Sequence, residues 1–189
     1  MVEITPKRVS ETRLKMAQIM LPNDANQLGK VFGGSILSLI DLTASAVASQ
    51  FAGHLCVTAS FDRVDFHQPV EIGDMVELDG FVSFVGRTSV EVTIDVHAVD
   101  LPHGTRRHVN TARVTMVAVN EGRPTPVPRL ICETREDRLR FLEGKIRREI
   151  RAERTAQMNQ LVERMREMED AELDHLLQAE SVLGLLRLA

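Results

Sequence analysis

The chain has 189 residues, enough for one ordinary domain with an appendage and a sizeable core, and too few for two full domains. A formal net charge of -4 and the absence of Trp and Tyr argue against a nucleic-acid binder, which would need a basic face and stacking aromatics. The two cysteines, Cys56 and Cys132, stand in neither metal-ligand nor redox spacing, so reduced thiols in a cytoplasmic protein are expected.

Residues Met1 to Val9 read as a loose arm with no apolar leader segment, and Arg13 to Leu21 (RLKMAQIML) suits either a first strand or a short helix. Leu21 to Gly34 (LPNDANQLGKVFGG) is rich in turn residues and ends in two glycines. Gly33 to Ala52 (GGSILSLIDLTASAVASQFA) then repeats its apolar residues at three and four, which predicts a buried helix rather than a strand. Its bulky stripe is Ile36, Leu39, Ile40, Thr43, Val47 and Phe51. The opposite, small face is Ser38, Asp41, Ser45, Ala48, Ser49 and Ala52, and Asp41 is its one ionisable residue. No run of about 18 apolar residues is expected for a membrane span.

Beyond Gly53-His54 the period changes to two. Leu55 to Phe66, Met75 to Val85, Ser89 to Val99 and Arg107 to Asn120 are the predicted strands, joined by turns at Pro69 to Asp74, Gly86-Arg87-Thr88 and Leu101 to Thr105. Val90, Val92, Ile94 and Val96 alternate with Glu91, Thr93, Asp95 and His97, the pattern of a strand buried on one face only. A proline-rich exit, Glu121 to Arg129, leads to a charged helical tail from Glu133. There Leu139, Leu142, Ile146 and Ile150 form one apolar stripe, and Met158, Leu161, Met165 and Met168 a second. Glu172 is expected to break the register and Gly184 to interrupt the end. The expected division is a core domain over residues 10–130 and an amphipathic extension over 131–189, lying on the core or on another subunit. Its basic cluster Arg147, Arg148, Arg151 and Arg154 suits a solvated face better than a phosphate site.

The stretch LPNDANQLGKVFGGSILSLIDLTA resembles the acyl-CoA thioesterases of the hotdog fold, in which an Asn-containing loop and a Gly-Gly pair precede a central helix bearing an Asp. VTASFDRVDFHQPVEIGD, GRTSVEVTIDV and ARVTMVAVNEGRP resemble the same family's strands and turns, so the likeness spans about Ser10 to Pro128. It implies an α+β fold, a curved antiparallel sheet wrapped round a long helix, which the alternation of one helix and long one-sided strands also suits. It further implies hydrolysis of fatty acyl-CoA. In that reading Asp41 is the carboxylate that activates or replaces the attacking water, Asn26 helps hold the water, and the amides at Gly33 and Gly34 polarise the carbonyl. Ser38 is expected to help solvate Asp41. Thr88 and Ser89 match positions that touch the pantetheine or phosphates of CoA, and Arg87 is the expected phosphate partner. The resemblance also implies a homodimer at least, with a hexamer built as a trimer of dimers open, and sites shared between subunits so that Asn26 of one chain faces Asp41 of the other.

Other chemistries find less support. His103 and His108 flank a turn without a third ligand, which reads as exposed loop histidines, so no metal and no cofactor are expected. No G-x-S-x-G nucleophile elbow occurs. A hotdog hydratase would need a His paired with an acidic residue on the helix, where none stands. A non-catalytic acyl-CoA-binding or oligomeric scaffold protein is the alternative from another class.

Overall fold

The computed structural model describes residues 5–62 and 64–188; the first four residues of the expected arm lie outside them. In chain order the elements are β1 (Lys7–Arg8), β2 (Leu14–Ile19), α1 (Gly33–Ala52), β3 (Leu55–Phe61), β4 (Met75–Val85), β5 (Ser89–Asp100), β6 (Thr105–Asn120), β7 (Arg123–Pro124), β8 (Leu130–Ile131), α2 (Arg135–Arg166), α3 (Asp170–Leu177) and α4 (Val182–Leu188). They pack as two units, Met1–Gly144 and Lys145–Ala189.

In the first unit, β2-β4-β5-β6-β3 form an antiparallel sheet, with β7 continuing from β6. Arg13 to Leu21 is thus a strand, Leu14 pairing with Gly80 and Ile19 with Met75. Register shifts at Thr58/Ser60, Val82/Phe84 and Val96/His97 insert extra residues, and such bulges bend and twist a sheet. The helix lies in the resulting hollow. Ile36, Leu39, Ile40, Thr43, Val47 and Phe51 are buried as expected. Ala48 and Ala52, assigned to the open face, are buried too, because the sheet covers more of the helix circumference than one stripe, while Leu42 is left outside. By length and composition α1 could cross a membrane, but its apolar residues are occupied by the strands.

Close packing is visible at Gly80, where an added Cβ would lie 3.0 Å from Thr43 Cγ2 and 3.1 Å from Val47 Cγ2. The helix ends at Gly53, whose φ of 69° reverses the chain and whose N–H donates to the Ser49 carbonyl. The last carbonyls are met from outside: Lys7 Nζ donates to Gln50 O and Phe51 O, both at 2.8 Å. This is the expected hotdog arrangement.

Several expectations need correcting. The arm is not loose where it is described, since Lys7–Arg8 pairs with Leu130–Ile131 and Val9 is buried. β3 stops at Phe61 rather than Phe66, since Phe66 leaves the sheet and sets its ring against the start of α1. β5 is not buried on one face only. Glu91 is 2% and Thr93 7% exposed on the convex side, where Ser83 Oγ donates to Glu91 Oε1 at 3.0 Å and Thr93 Oγ1 donates to Ser83 Oγ at 2.9 Å. The first turns of α2 cover them: the Phe141 and Phe84 rings are 5.0 Å apart, and Arg13 and Arg140 both place their guanidinium groups over Phe81. Lastly, the anticipated stripe Leu139, Leu142, Ile146 and Ile150 is exposed in this chain, because α2 turns Phe141 and Gly144 to the sheet instead.

In the second unit the helical break comes between α2 and α3, ahead of Glu172. That residue lies inside α3, where its carboxylate accepts the Glu169 N–H as an N-terminal cap, and Gly184 lies inside α4. Arg164 Nη1 donates to Leu186 O at 2.7 Å, tying α2 to α4.

Gly144 gives the fold its test. A Cβ there would run into Phe84, with Cγ at 2.9 Å, and come within 3.0 Å of Glu91 Oε1. In an open helix Gly→Ala stabilises by about 1 kcal/mol. Here Gly144→Ala should instead lower stability by about 1–3 kcal/mol, read as a drop in Tm; a rise would mean that α2 does not seat on the sheet.

Candidate active site

Asp41 stands two turns into α1, half-buried, on the side of the helix that looks toward β3. Its carboxylate is held by Thr58, whose Oγ1 donates to Asp41 Oδ1 at 2.6 Å. Thr58 Oγ1 also lies 3.5 Å from Met116 Sδ, on the neighbouring strand. Eight residues along the helix, Ser49 Oγ accepts the Cys56 N–H at 3.1 Å, so the polar side of α1 is fastened to β3 at two points. Ser38 is exposed near Asp41 in the helix sequence, and no hydrogen bond joins the two among the described residues.

Thr58 went unnoticed in the sequence. Its signal there is only a hydroxyl in an apolar strand, and nothing in the spacing of seventeen residues shows that β3 folds back along α1.

Asn26 closes its own loop. Its Oδ1 accepts from the N–H groups of Leu28 at 2.9 Å and Lys30 at 3.1 Å, while its main chain exchanges bonds with Lys30 and Gly29. The oxygen being committed, the side-chain NH₂ is the group left to donate. Among the described residues no hydrogen bond links Asn26 to Asp41.

Gly33 and Gly34 form the first turn of α1. Phe32 precedes them in extended conformation and supplies no side-chain cap; the Ser35 N–H donates to the Phe32 carbonyl at 2.9 Å, and the Gly33 and Gly34 N–H groups are the ones left to a ligand. Gly34 also has a steric reason to lack a side chain, since a Cβ would strike the Phe32 ring, with Cδ1 at 2.8 Å. The amides and the carboxylate of one chain are well separated. Eight residues at 1.5 Å of rise put Gly33 and Asp41 about 12 Å apart along the helix axis.

Arg87, Thr88 and Ser89 turn from β4 into β5. The Arg87 carbonyl accepts from Val127 N at 3.1 Å and the Thr88 carbonyl from Ala118 N at 3.0 Å, which clamps the turn to β6 and the exit loop. Ser89 and Val57 both pair with Val117, so the turn and the Asp41–Thr58 pair occupy the same end of the sheet, two strand spacings or about 10 Å apart. The Arg87 side chain is exposed.

The remaining titratable groups offer no rival centre. Burial pushes the Cys56 thiol up, against the smaller opposing effect of Ser49, and burial raises Cys132 as well. His103 pairs with Asp100 at 2.8 Å. His108, expected in a loop, is on β6, 5.2 Å from the His97 ring and 6.4 Å from that of His67; no group among the described residues has the geometry to hold a metal. Burial first, then Arg106 and His108, keep His97 below its ordinary 6.5. The unfolded chain therefore binds the proton more readily, and stability should increase as pH rises toward 6.5. Denaturant midpoints on either side of that value should show this increase, and His97→Gln should flatten it.

The curled antiparallel sheet closed round a single long helix is the hotdog architecture. The thioesterase superfamily model matches residues 28–102. The uncharacterized acyl-CoA thioester hydrolase YkhA of Bacillus subtilis is 38% identical over 128 residues, covering 67% of this chain and 74% of that one. A hexameric acyl-CoA thioesterase structure in its apo form aligns with TM-score 0.77 at 40% identity, over 81% of this chain and 99% of the other. An acyl-CoA hydrolase from Staphylococcus aureus, solved with butyryl coenzyme A and coenzyme A, aligns with TM-score 0.74 at 29% identity, over 85% and 99%. Variants of that enzyme with an asparagine, an aspartate or a threonine replaced by alanine have also been solved. The chain belongs to the thioesterase superfamily, among its hotdog-fold acyl-CoA hydrolases.

The Thr58 contact carries a test of its own. Thr58→Val removes a hydrogen bond to a charged group, worth roughly 1.5–3 kcal/mol, and should lower kcat about tenfold or more once a thioester substrate is in hand. Thr58→Ser should keep most of the rate, and equal rates in both variants would leave the hydroxyl without a role.

Proposed function

We propose that this protein is an acyl-CoA thioesterase that hydrolyses fatty acyl-CoA to the free acid and CoA, with Asp41 as its base or nucleophile. The observation that carries this reading is the Asp41–Thr58 bond, which fixes a carboxylate on the open side of an otherwise apolar helix. The trio Asn26, Asp41 and Thr58 supplies the residue types replaced one by one in the Staphylococcus aureus hydrolase.

In this mechanism the thioester carbonyl accepts from the Gly33 and Gly34 amides, which stabilise the charge that grows on its oxygen. The Asn26 NH₂ holds a water, Asp41 takes its proton, and the water oxygen bonds to the carbonyl carbon. The carbon–sulfur bond then breaks, and the CoA thiolate leaves to be protonated. Thr58 keeps one carboxylate oxygen occupied and the other facing the water. Ser38 helps solvate the carboxylate; Arg87, Thr88 and Ser89 receive CoA, with Arg87 toward its phosphates.

The site needs two chains. About 12 Å between amides and carboxylate is too far for both to serve one carbonyl and its water, so Asp41 and Thr58 of one protomer complete a site begun by Asn26, Gly33 and Gly34 of the other. β3 supports such pairing: it is an edge strand with Leu55 77%, Val57 51% and Phe61 38% exposed. A dimer is the minimum, and a hexamer built from three dimers is in keeping with the hexameric relative. Residues 10–130 carry the chemistry in this proposal and 131–189 serve assembly. A cytoplasmic setting accords with the two unpaired cysteines.

Asp41→Asn should keep the fold and lower kcat by at least about a hundredfold against acyl-CoA substrates; unchanged turnover would falsify the assignment. Mixing Asp41→Asn with Asn26→Ala chains tests the shared site. Hybrid dimers should regain activity, because one of their two sites has both native residues. No recovery despite subunit exchange, followed by mass spectrometry, would return both residues to one chain.

A further inference from the structure

Asn110 is the least accounted-for polar residue of the core. It is 1% exposed, and neither its Oδ1 nor its Nδ2 has a hydrogen-bond partner. Leaving such a group buried and unpaired costs about 1–3 kcal/mol, which a Val or Leu at the same position would not. The side chain points into the hollow of the sheet: Asn110 pairs with Val96, which pairs with Leu78, and these two are fully buried core residues. One row along, Gly80, Ile94 and Ala112 lie under Thr43 and Val47 of α1.

The level of Asn110 along the sheet can be fixed against α1. His67 N donates to Val109 O, which sets the 66–67 segment beside β6 next to Asn110. The Phe66 ring in turn lies 3.6 Å from where a Cβ of Gly33 would be. An unpaired carboxamide therefore sits in apolar surroundings at the level of the uncapped first turn of α1, where the proposed mechanism seats the thioester carbonyl. Asn110 is the one polar side chain of its row, where its neighbours are Val96, Leu78 and Met16.

A saturated chain would leave the amide as unsatisfied as before. A hydroxyl both accepts from Nδ2 and donates to Oδ1, matching both open groups with one atom. Resting on the thioesterase reading, we infer that the acyl compartment selects chains bearing a hydroxyl near the carboxyl end, and that Asn110 is the specificity-determining residue that reads it. Sites built to hydrogen-bond a substrate hydroxyl discriminate strongly against the analogue lacking it, while a methylene more or less changes little.

The test compares a saturated acyl-CoA with the β-hydroxyacyl-CoA of equal chain length. In the wild-type enzyme kcat/KM should favour the hydroxy substrate by at least about tenfold, and Asn110→Leu should reverse the order by raising the rate on the saturated chain. Binding of the same two compounds to Asp41→Asn protein, measured by calorimetry, should show the same preference. A chain that binds the hydroxyacyl compound more tightly yet turns over neither would count against hydrolysis and still support the Asn110 assignment. Equal or saturated-preferring kinetics and binding in wild-type protein would overturn it. So would an Asn110→Leu protein that melts higher with an unchanged preference, the mark of an amide held by a structural water. An equal loss on both substrates would overturn it too, since the amide would then contact the CoA arm rather than the chain.

Discussion

Nine buried residues of α1 must be kept from water, and only a sheet that bends round the helix can reach them all. The rest of the molecule follows from that requirement. The bulges in β3, β4 and β6 provide the bend, Gly80 lets the helix come close, and β3 returns directly along the side of the helix it has just left. The last feature brings Thr58 to Asp41. The carboxylate is positioned by the same packing that closes the core.

How much of this was legible in the sequence varied with the range of the interaction. The span of α1 and β4 could be read to the residue, because periods of 3.6 and 2 are local and glycines mark their ends. Asp41 stood out as the one charge in an apolar helix, and Gly33 and Gly34 as a break before it. Thr58 was invisible, since its importance comes from a partner on another element. The convex face misled for a similar reason: Glu91 and Thr93 look like solvent residues until Phe141 and Gly144 cover them, and Gly144 in a charged helix looks like a mere weak spot. The exposed stripe of α2 shows the converse, an apolar pattern that this chain alone does not bury.

Asn26 shows how a motif residue can have two duties. Its oxygen organises the loop ahead of α1 by gathering two backbone N–H groups, and that leaves the amide nitrogen as the group able to reach outward. An Asp at this position could keep the loop but not donate. The fold thus supplies a reason for the residue type that does not depend on any likeness to other proteins.

The two ends of α1 are treated unequally. At the C-terminal end Lys7 places its ammonium on the carbonyls of Gln50 and Phe51, while the N-terminal end has no side-chain cap at all. A helix carries roughly half a positive charge at one pole and half a negative at the other. With the negative pole quenched by the N-terminal arm, the positive pole stands without its counterpart, and the helix acts toward its surroundings as a lone partial cation. The arm, at the opposite end of α1 from that pole, in this way adjusts the field into which an anion would be drawn.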